Sequence, residues 1–191
     1  MPIVARFEEV KAALWSGGTY GFQPSLTDEA VTEAEQVLGV RLPVSLLELL
    51  RVQNGGEVSS GRDAFPTDQP TSWSADHVPF GELMGIGRRE RMVSLLDTPY
   101  LVDEWGLPSP VVLLSGDGHC WIALDYRDCG RLGEPAVTWL DADFDLELRL
   151  AADFRSFVEG LTSEGHFVGD VDRAAHRGFR GALEPLPSPG Y

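Results

Sequence analysis

Four acidic residues alternate with apolar residues in the second half of the chain: Asp141, Asp143, Asp145 and Glu147. Carboxylates at every second position begin the calcium loop of an EF-hand, which also requires glycine at its sixth position and glutamate at its twelfth. Leu146 and Ala152 occupy those two positions here. The stretch is therefore not predicted to bind calcium.

A period of two residues instead predicts an extended segment with one buried apolar side and one acidic side in water. Such a side could receive a basic protein, or it could be a charged sheet edge that discourages aggregation between strands. Asp125 and Asp128 follow an earlier predicted strand and would lie in the same region if the strands form a meander. Under the first interpretation all six carboxylates contribute to a partner contact.

A catalytic group is not predicted. His119 lies beside Asp117 with Ser115 nearby, but a short turn does not direct three side chains to one point. Asp125 and Asp128 have no companion acid or base in the sequence. We therefore expect a protein that is not an enzyme.

No metal, disulfide or cofactor is predicted either. The remaining histidines have unrelated spacings: His77, His166 and His176. Cys120 and Cys129 form neither a Cys-x-x-Cys pair nor a disulfide framework, and Cys120 is predicted to be a small core residue. The glycine-rich fragments lack the full fingerprint of a phosphate or dinucleotide loop.

The chain is strongly acidic, with 30 Asp and Glu against 15 Lys and Arg and a net charge of −15. Such a surface repels nucleic acids and anionic membranes, and it attracts a basic protein. Acidity also serves solubility alone. The N-terminal segment contains Glu8 and Glu9 and no apolar stretch of a signal peptide, so a cytoplasmic location is expected.

Periodicity and capping residues predict three helices in the first part of the chain. The first has an apolar face made of Ile3, Phe7, Val10 and Leu14. The second begins after Thr27 and ends at Gly39, with Val31, Ala34, Val37 and Leu38 on its apolar face. The third begins at Pro43 and is expected to end at Asn54, before two glycines.

Together with these helices, the patterns in the rest of the chain predict one α+β domain over residues 1–162. Residues 57–77 are polar and predicted to be a loop, in which Trp73 is an interface anchor. A helix is predicted over 88–96 and three strands over 111–114, 120–126 and 136–140. These strands form an antiparallel meander packed with the N-terminal helices and a closing helix, whose apolar face is Leu150, Phe154, Phe157, Val158 and Leu161. Residues 163–191 are predicted to be an extension with a Pro-rich end.

Several of these motifs occur together in a known family. A helix ending at Gly39 is followed by Leu42-Pro43, a second helix and Asn54-Gly55-Gly56. A strand ending in Asp125 and a Leu-Ala-x-x-Phe-x-x-Phe helix over 150–157 come later. In this order they resemble the SUKH superfamily, which includes bacterial immunity proteins and yeast cell-wall assembly regulators. The resemblance covers roughly residues 5–162.

The resemblance implies a binding module without catalytic activity. The first hypothesis is an immunity protein that neutralises a cognate toxin, a nuclease in many such families, whose basic surface would attract this acidic chain. The second is a regulatory scaffold of the cell-wall regulator type. A small hydrolase is a third hypothesis, which rests only on scattered carboxylates and His119.

Overall fold

The structure, a computed structural model, describes residues 6–167. The α-helices are α1 (Phe7–Ala13), α2 (Asp28–Leu38), α3 (Val44–Val52), α4 (Thr98–Trp105) and α5 (Phe154–Gly160). The short strands are β1 (Gly56–Glu57), β2 (Ala64–Pro66), β3 (His77–Pro79) and β4 (Glu82–Leu83). The longer strands are β5 (Val111–Gly116), β6 (Cys120–Asp125), β7 (Ala136–Asp141) and β8 (Leu146–Ala151).

The second half forms an antiparallel four-stranded sheet in the order β5-β6-β7-β8. Two smaller antiparallel pairs, β1 with β4 and β2 with β3, come from the segment before it. The prediction of an α+β fold with a meander is confirmed, with β8 as a fourth strand. The sheet, the helices and the short strands enclose one apolar core.

Local signals place α2 and α3 as predicted. The Thr27 hydroxyl accepts a hydrogen bond from the Ala30 amide at 3.2 Å, which caps the start of α2. Gly39 ends that helix at a φ of 67°, in the left-handed region that favours glycine. The predicted apolar face is narrower than expected, because Ala34 is buried whereas Val37 is 41% exposed.

Helix α3 ends at Val52, two residues before the predicted stop at Asn54. Asn54 instead belongs to a buried crossing of two backbone segments. Its side chain accepts a hydrogen bond from the Ile86 amide at 2.8 Å and donates one to the Ile86 carbonyl at 2.8 Å. Gly85 has no room for a side chain, since a Cβ there would lie 2.3 Å from the Asn54 carbonyl oxygen.

The prediction of a helix over 88–96 is wrong. Arg91 adopts a φ of 62°, which interrupts a right-handed helix. The Ser94 hydroxyl instead caps a short 3₁₀ turn over Leu95–Asp97, which leads directly into α4. Pro99 lies in the first turn of α4, where a missing amide costs no hydrogen bond.

The polar segment 57–77 is more ordered than predicted, because β2 and β3 make it a hairpin. Phe65, in β2, is buried and stacks on Phe157 with ring centroids 4.9 Å apart. Phe157 also meets Phe80 edge-on at 5.0 Å. These contacts hold the hairpin base against α5, the closing helix, which begins at Phe154.

The acidic stretch is not one continuous strand, as its period of two predicted. Asp141 ends β7, a turn follows, and β8 begins at Leu146. Asp145 has a φ of 52°, which the turn requires. The expected apolar side is not buried, since Phe144 is 66% and Leu146 54% exposed.

Residues 163–167, which follow the predicted domain, contact earlier parts of the chain. Ser163 donates a hydrogen bond to the Ser60 carbonyl at 2.7 Å, and the Glu164 amide donates one to Asp63 at 2.8 Å. Phe167 stacks on His77 at 4.4 Å. The Pro-rich end of the chain, and Ile3 of the predicted first helix, lie outside the described residues.

Candidate functional site

An open pocket of about 310 Å³ lies between the β1–β4 pair, the tip of the β2–β3 hairpin and one end of the main sheet. Its walls combine carboxylates, aromatic rings and one thiol. The residues that define its chemistry are Tyr20, Glu57, Trp73, Glu82, Cys120 and Trp139.

Two carboxylates form one side of the pocket. Glu57 and Glu82 are directly opposite each other in the antiparallel pairing of β1 with β4. Burial and the negative charge of Glu57 both raise the pKa of Glu82 above its usual value. None of the ion pairs and side-chain hydrogen bonds found within residues 6–167 involves Glu82. Among the same residues, the carboxylate of Glu57 accepts one hydrogen bond, a long one from the Ser16 hydroxyl at 3.4 Å.

Aromatic residues form the other walls. Tyr20 is 62% exposed and Trp73 is 49% exposed, which is unusual for side chains of this size. Trp139 is 3% exposed, and its indole nitrogen has no hydrogen-bond partner among the described residues. The pocket thus offers π faces together with negative charge.

Trp73 is held in place by the turn at the hairpin tip. The Thr71 hydroxyl accepts hydrogen bonds from the amides of Trp73 and Ser74, at 3.2 and 3.3 Å. The Ser72 hydroxyl donates to the Asp141 carboxylate at the end of β7. The predicted interface anchor is therefore exposed but ordered, because its loop is tied to the main sheet.

Asp141 is a structural carboxylate, not an exposed one as the alternating pattern suggested. It is 4% exposed and, besides Ser72, accepts hydrogen bonds from the amides of Asp143 and Phe144, both at 3.1 Å. Its lone pairs are used to close the β7–β8 turn and to hold the hairpin tip. A partner cannot reach it without breaking these contacts.

Cys120 is half-buried: it packs against the core, as predicted, and it also lines the pocket. Burial raises the pKa of this thiol to about 11, and the negative charge of Asp141 acts in the same direction. Since the thiolate is the reactive form, Cys120 is a poor nucleophile at neutral pH.

The other predicted carboxylates do not form one cluster with Asp141. Asp125 lies opposite Ala136 and Asp141 lies opposite Cys120, so these two aspartates are at opposite ends of β6 and β7. Arg127 bridges Asp125 and Glu147, with both nitrogen–oxygen distances at 2.7 Å.

Three of the predicted carboxylates are exposed and lie outside the Arg127 bridge. Asp128 lies 4.0 Å from Arg149, a weak pairing at the surface. Asp143 contacts His119 at 2.9 Å, and Asp145 lies in the β7–β8 turn. Asp128 lies just after Asp125, at one end of β6 and β7, whereas Asp143 and Asp145 follow Asp141 at the other end. The three residues therefore belong to two separate surfaces.

The sequence comparison now assigns the family. The profile of the SMI1 / KNR4 family (SUKH-1) matches residues 25–160, which includes every described strand and the helices α2 to α5. The chain belongs to the SMI1 / KNR4 family (SUKH-1). The comparison with curated proteins returned no match.

Ser115, His119 and Asp117 of the SUKH-1 chain do not form a catalytic triad. Ser115 is buried, and the His119 ring pairs with Asp143, not with Asp117. The Asp117 carboxylate accepts hydrogen bonds from the backbone amides of His119 and Cys120, both at 2.9 Å. Burial opposes its ionisation, but these amides and His119 outweigh that effect and lower the pKa of Asp117. It caps the β5–β6 turn.

Among residues 6–167 of this SUKH-1 protein, no three His, Cys, Asp or Glu side chains are grouped so that they could hold a metal ion. Within the same residues, no helix has the length and apolarity needed to cross a membrane.

Sequence reasoning missed Tyr20, Glu57 and Glu82 as site residues. Glu82 carries the one available signal, since it is a charged residue inside the apolar run 78–86. Glu57 and Tyr20 lie in polar, glycine-rich surroundings with no distinguishing pattern.

Proposed function

We propose that this SUKH-1 protein is an immunity protein that binds and blocks a basic toxin domain, a nuclease being the class that fits its charge best. Members of the family bind partner proteins, including toxins. The net charge of −15 favours a basic partner and accelerates their encounter.

One observation carries the proposal: exposed Trp73, whose backbone is fixed by the turn at the hairpin tip, lines the same pocket as the unpaired carboxylate of Glu82. Tryptophan and tyrosine dominate the binding energy of protein interfaces, above all when they are ordered before the partner arrives. Trp73 and Tyr20 would therefore be the central contacts. Asp143, Asp145 and Asp128 would act at the periphery, where exposed charges steer association.

The proposal predicts that a toxin domain is encoded beside this gene, and co-expression with that domain tests it. Cells that make both proteins are expected to grow, and the purified proteins are expected to form a complex. The double variant Trp73→Ala/Tyr20→Ala should lose protection. Tyr100→Ala is the matched control, because Tyr100 is 66% exposed on α4 and does not line the pocket.

Wild-type protein that neither binds nor protects against that toxin would contradict the immunity function. Family membership alone is equally compatible with a regulatory scaffold of the cell-wall regulator type. That alternative predicts a stable complex with a protein that is not toxic when expressed alone. No observation favours a hydrolase.

A further inference from the structure

We propose that the pocket between β1, β4 and the hairpin tip receives an arginine side chain of the partner protein. The guanidinium group would lie against the aromatic walls, with the carboxylates of Glu57 and Glu82 as its counter-charges. The inference rests on the proposed function and specifies the group that this surface recognises.

The carboxylate pair is the first observation. Asp125 and Glu147 are neighbouring carboxylates that share a cation, Arg127. Glu57 and Glu82 face each other across β1 and β4 without one. Like charges directly opposite in an antiparallel pair destabilise it, and a half-buried unpaired charge adds a desolvation cost. A cation supplied from outside removes both costs.

The aromatic walls are the second observation. A cation above the face of a tryptophan or tyrosine ring is attracted by the ring quadrupole, most strongly when water is excluded. Trp73 and Tyr20 both line the pocket and are exposed, so their rings are accessible to such a cation. Arginine suits this combination better than lysine, because its planar group stacks on rings and donates to two carboxylates at once.

Trp139 is the third observation, and it points to a peptide instead of a free amine. It lines the pocket, is 3% exposed, and its indole N–H has no acceptor among the described residues. A buried donor without a partner is costly. In the proposed complex, a backbone carbonyl of the peptide next to the bound arginine is the acceptor that this nitrogen lacks.

The pocket size agrees with a side chain as the occupant. About 310 Å³ is near the lower limit of small-molecule sites, and the pocket opens to solvent along the face that carries Trp73. An arginine that extends from a docked surface fits this shape. A divalent cation would need a closer set of oxygen ligands than the described residues provide.

Titration of the full chain with blocked tripeptides tests the inference. The probes are acetyl-Gly-Arg-Gly-amide, its lysine counterpart, and its citrulline counterpart, which has the arginine shape without the charge. The indole signals of Trp73 and Trp139 report binding by NMR. The arginine peptide is expected to shift both signals and to bind about tenfold more tightly than the citrulline peptide.

Glu57→Gln/Glu82→Gln is expected to weaken arginine-peptide binding about tenfold, whereas Glu90→Gln, an exposed control outside the pocket, leaves it unchanged. Equal binding of the arginine and citrulline peptides would overturn the inference, as would full binding by the double variant. A neutral oligosaccharide that shifts the same signals more strongly than any peptide would also overturn it.

The complex with the toxin separates the two proposals. If the double glutamine variant protects cells as well as wild type does, the pocket is not the arginine site although the immunity function stands. If the wild type binds the arginine peptide but does not protect, the immunity function fails and the pocket chemistry stands.

Discussion

The Asn54 side chain forms two hydrogen bonds with the backbone of Ile86, one to its amide and one to its carbonyl, both at 2.8 Å. Asn54 also donates to the Pro24 carbonyl at 2.6 Å. One side chain thus connects the segment before α2, the end of α3 and the segment after β4. Because β4 carries Glu82, this crossing supports one wall of the pocket.

Asn54→Ala is expected to lower the free energy of unfolding by about 1–3 kcal/mol, because it leaves buried backbone groups of Ile86 without partners. Denaturant unfolding measures the change. Gln36→Ala, on the exposed face of α2, is the control and should change stability by less than about 0.5 kcal/mol. An Asn54→Ala protein as stable as this control would mean that water replaces the lost bonds.

Glu82→Gln is expected to stabilise the protein at neutral pH, because it removes one of two like charges directly opposite each other in a sheet; the effect should be about 0.2–1 kcal/mol, the size of other cross-strand pair interactions. The pKa of Glu82 is raised in the folded state, so its stabilising contribution is present below the ordinary glutamate pKa. That contribution is lost as the pH rises through the folded-state value.

Melting temperatures of wild type and Glu82→Gln should therefore coincide in acid and separate in favour of the variant as the pH rises. Glu90→Gln should follow wild type throughout. A variant that melts below wild type at neutral pH would show that Glu82 has a stabilising partner. The variant would thus gain stability and lose arginine binding, because binding sites often sacrifice folding stability for function.

Cys120 is expected to react slowly with iodoacetamide at neutral pH. Its pKa of about 11 leaves little thiolate, and the rate should keep rising beyond pH 9, about where an ordinary thiol levels off. The Cys129→Ser variant isolates Cys120 for this measurement, and Cys120→Ser isolates exposed Cys129. Alkylation of Cys120 at the rate of a free thiol would contradict the burial of its sulfur.

Phe154→Ala is expected to destabilise the protein by about 3–5 kcal/mol, because Phe154 is fully buried where α5 packs on the core. Phe144→Ala is the matched control, since that ring is 66% exposed and its removal should cost less than about 0.5 kcal/mol. Equal losses for the two variants in chemical denaturation would place Phe144, too, in a packed site.

Asp143→Lys combined with Asp145→Asn is expected to weaken toxin protection by slowing association. Asparagine is chosen at 145 because it tolerates the left-handed conformation there. The melting temperature should change little, since exposed charges contribute little to folding. Association rates at low and physiological salt measure the effect, which salt should reduce. Unchanged protection would leave the pocket face around Trp73 as the contact.

The sequence by itself determined the elements whose signals are local. The limits of α2 are set by Thr27 and Gly39, and the start of α3 is set by Pro43. These signals can be read from the sequence because capping and backbone conformation depend on neighbouring residues. Strand β6 is apolar on both faces because it is central in its sheet. The short connections between successive strands predicted the antiparallel meander that the sheet forms. The helix predicted over 88–96 does not form because Arg91 adopts a left-handed conformation, which the apolar spacing of Met92, Leu95 and Leu96 does not reveal.

Only the tertiary structure decided the pocket. Strands β1 and β4 have two residues each, too few for a detectable period, so their pairing and the opposition of Glu57 and Glu82 have no sequence signal. Asp141 has the same chemistry as Asp143, yet one is buried under the hairpin tip and the other is exposed. Residue type sets what a carboxylate can do, whereas distant chain segments that pack around it decide its partners, its solvation and hence its role.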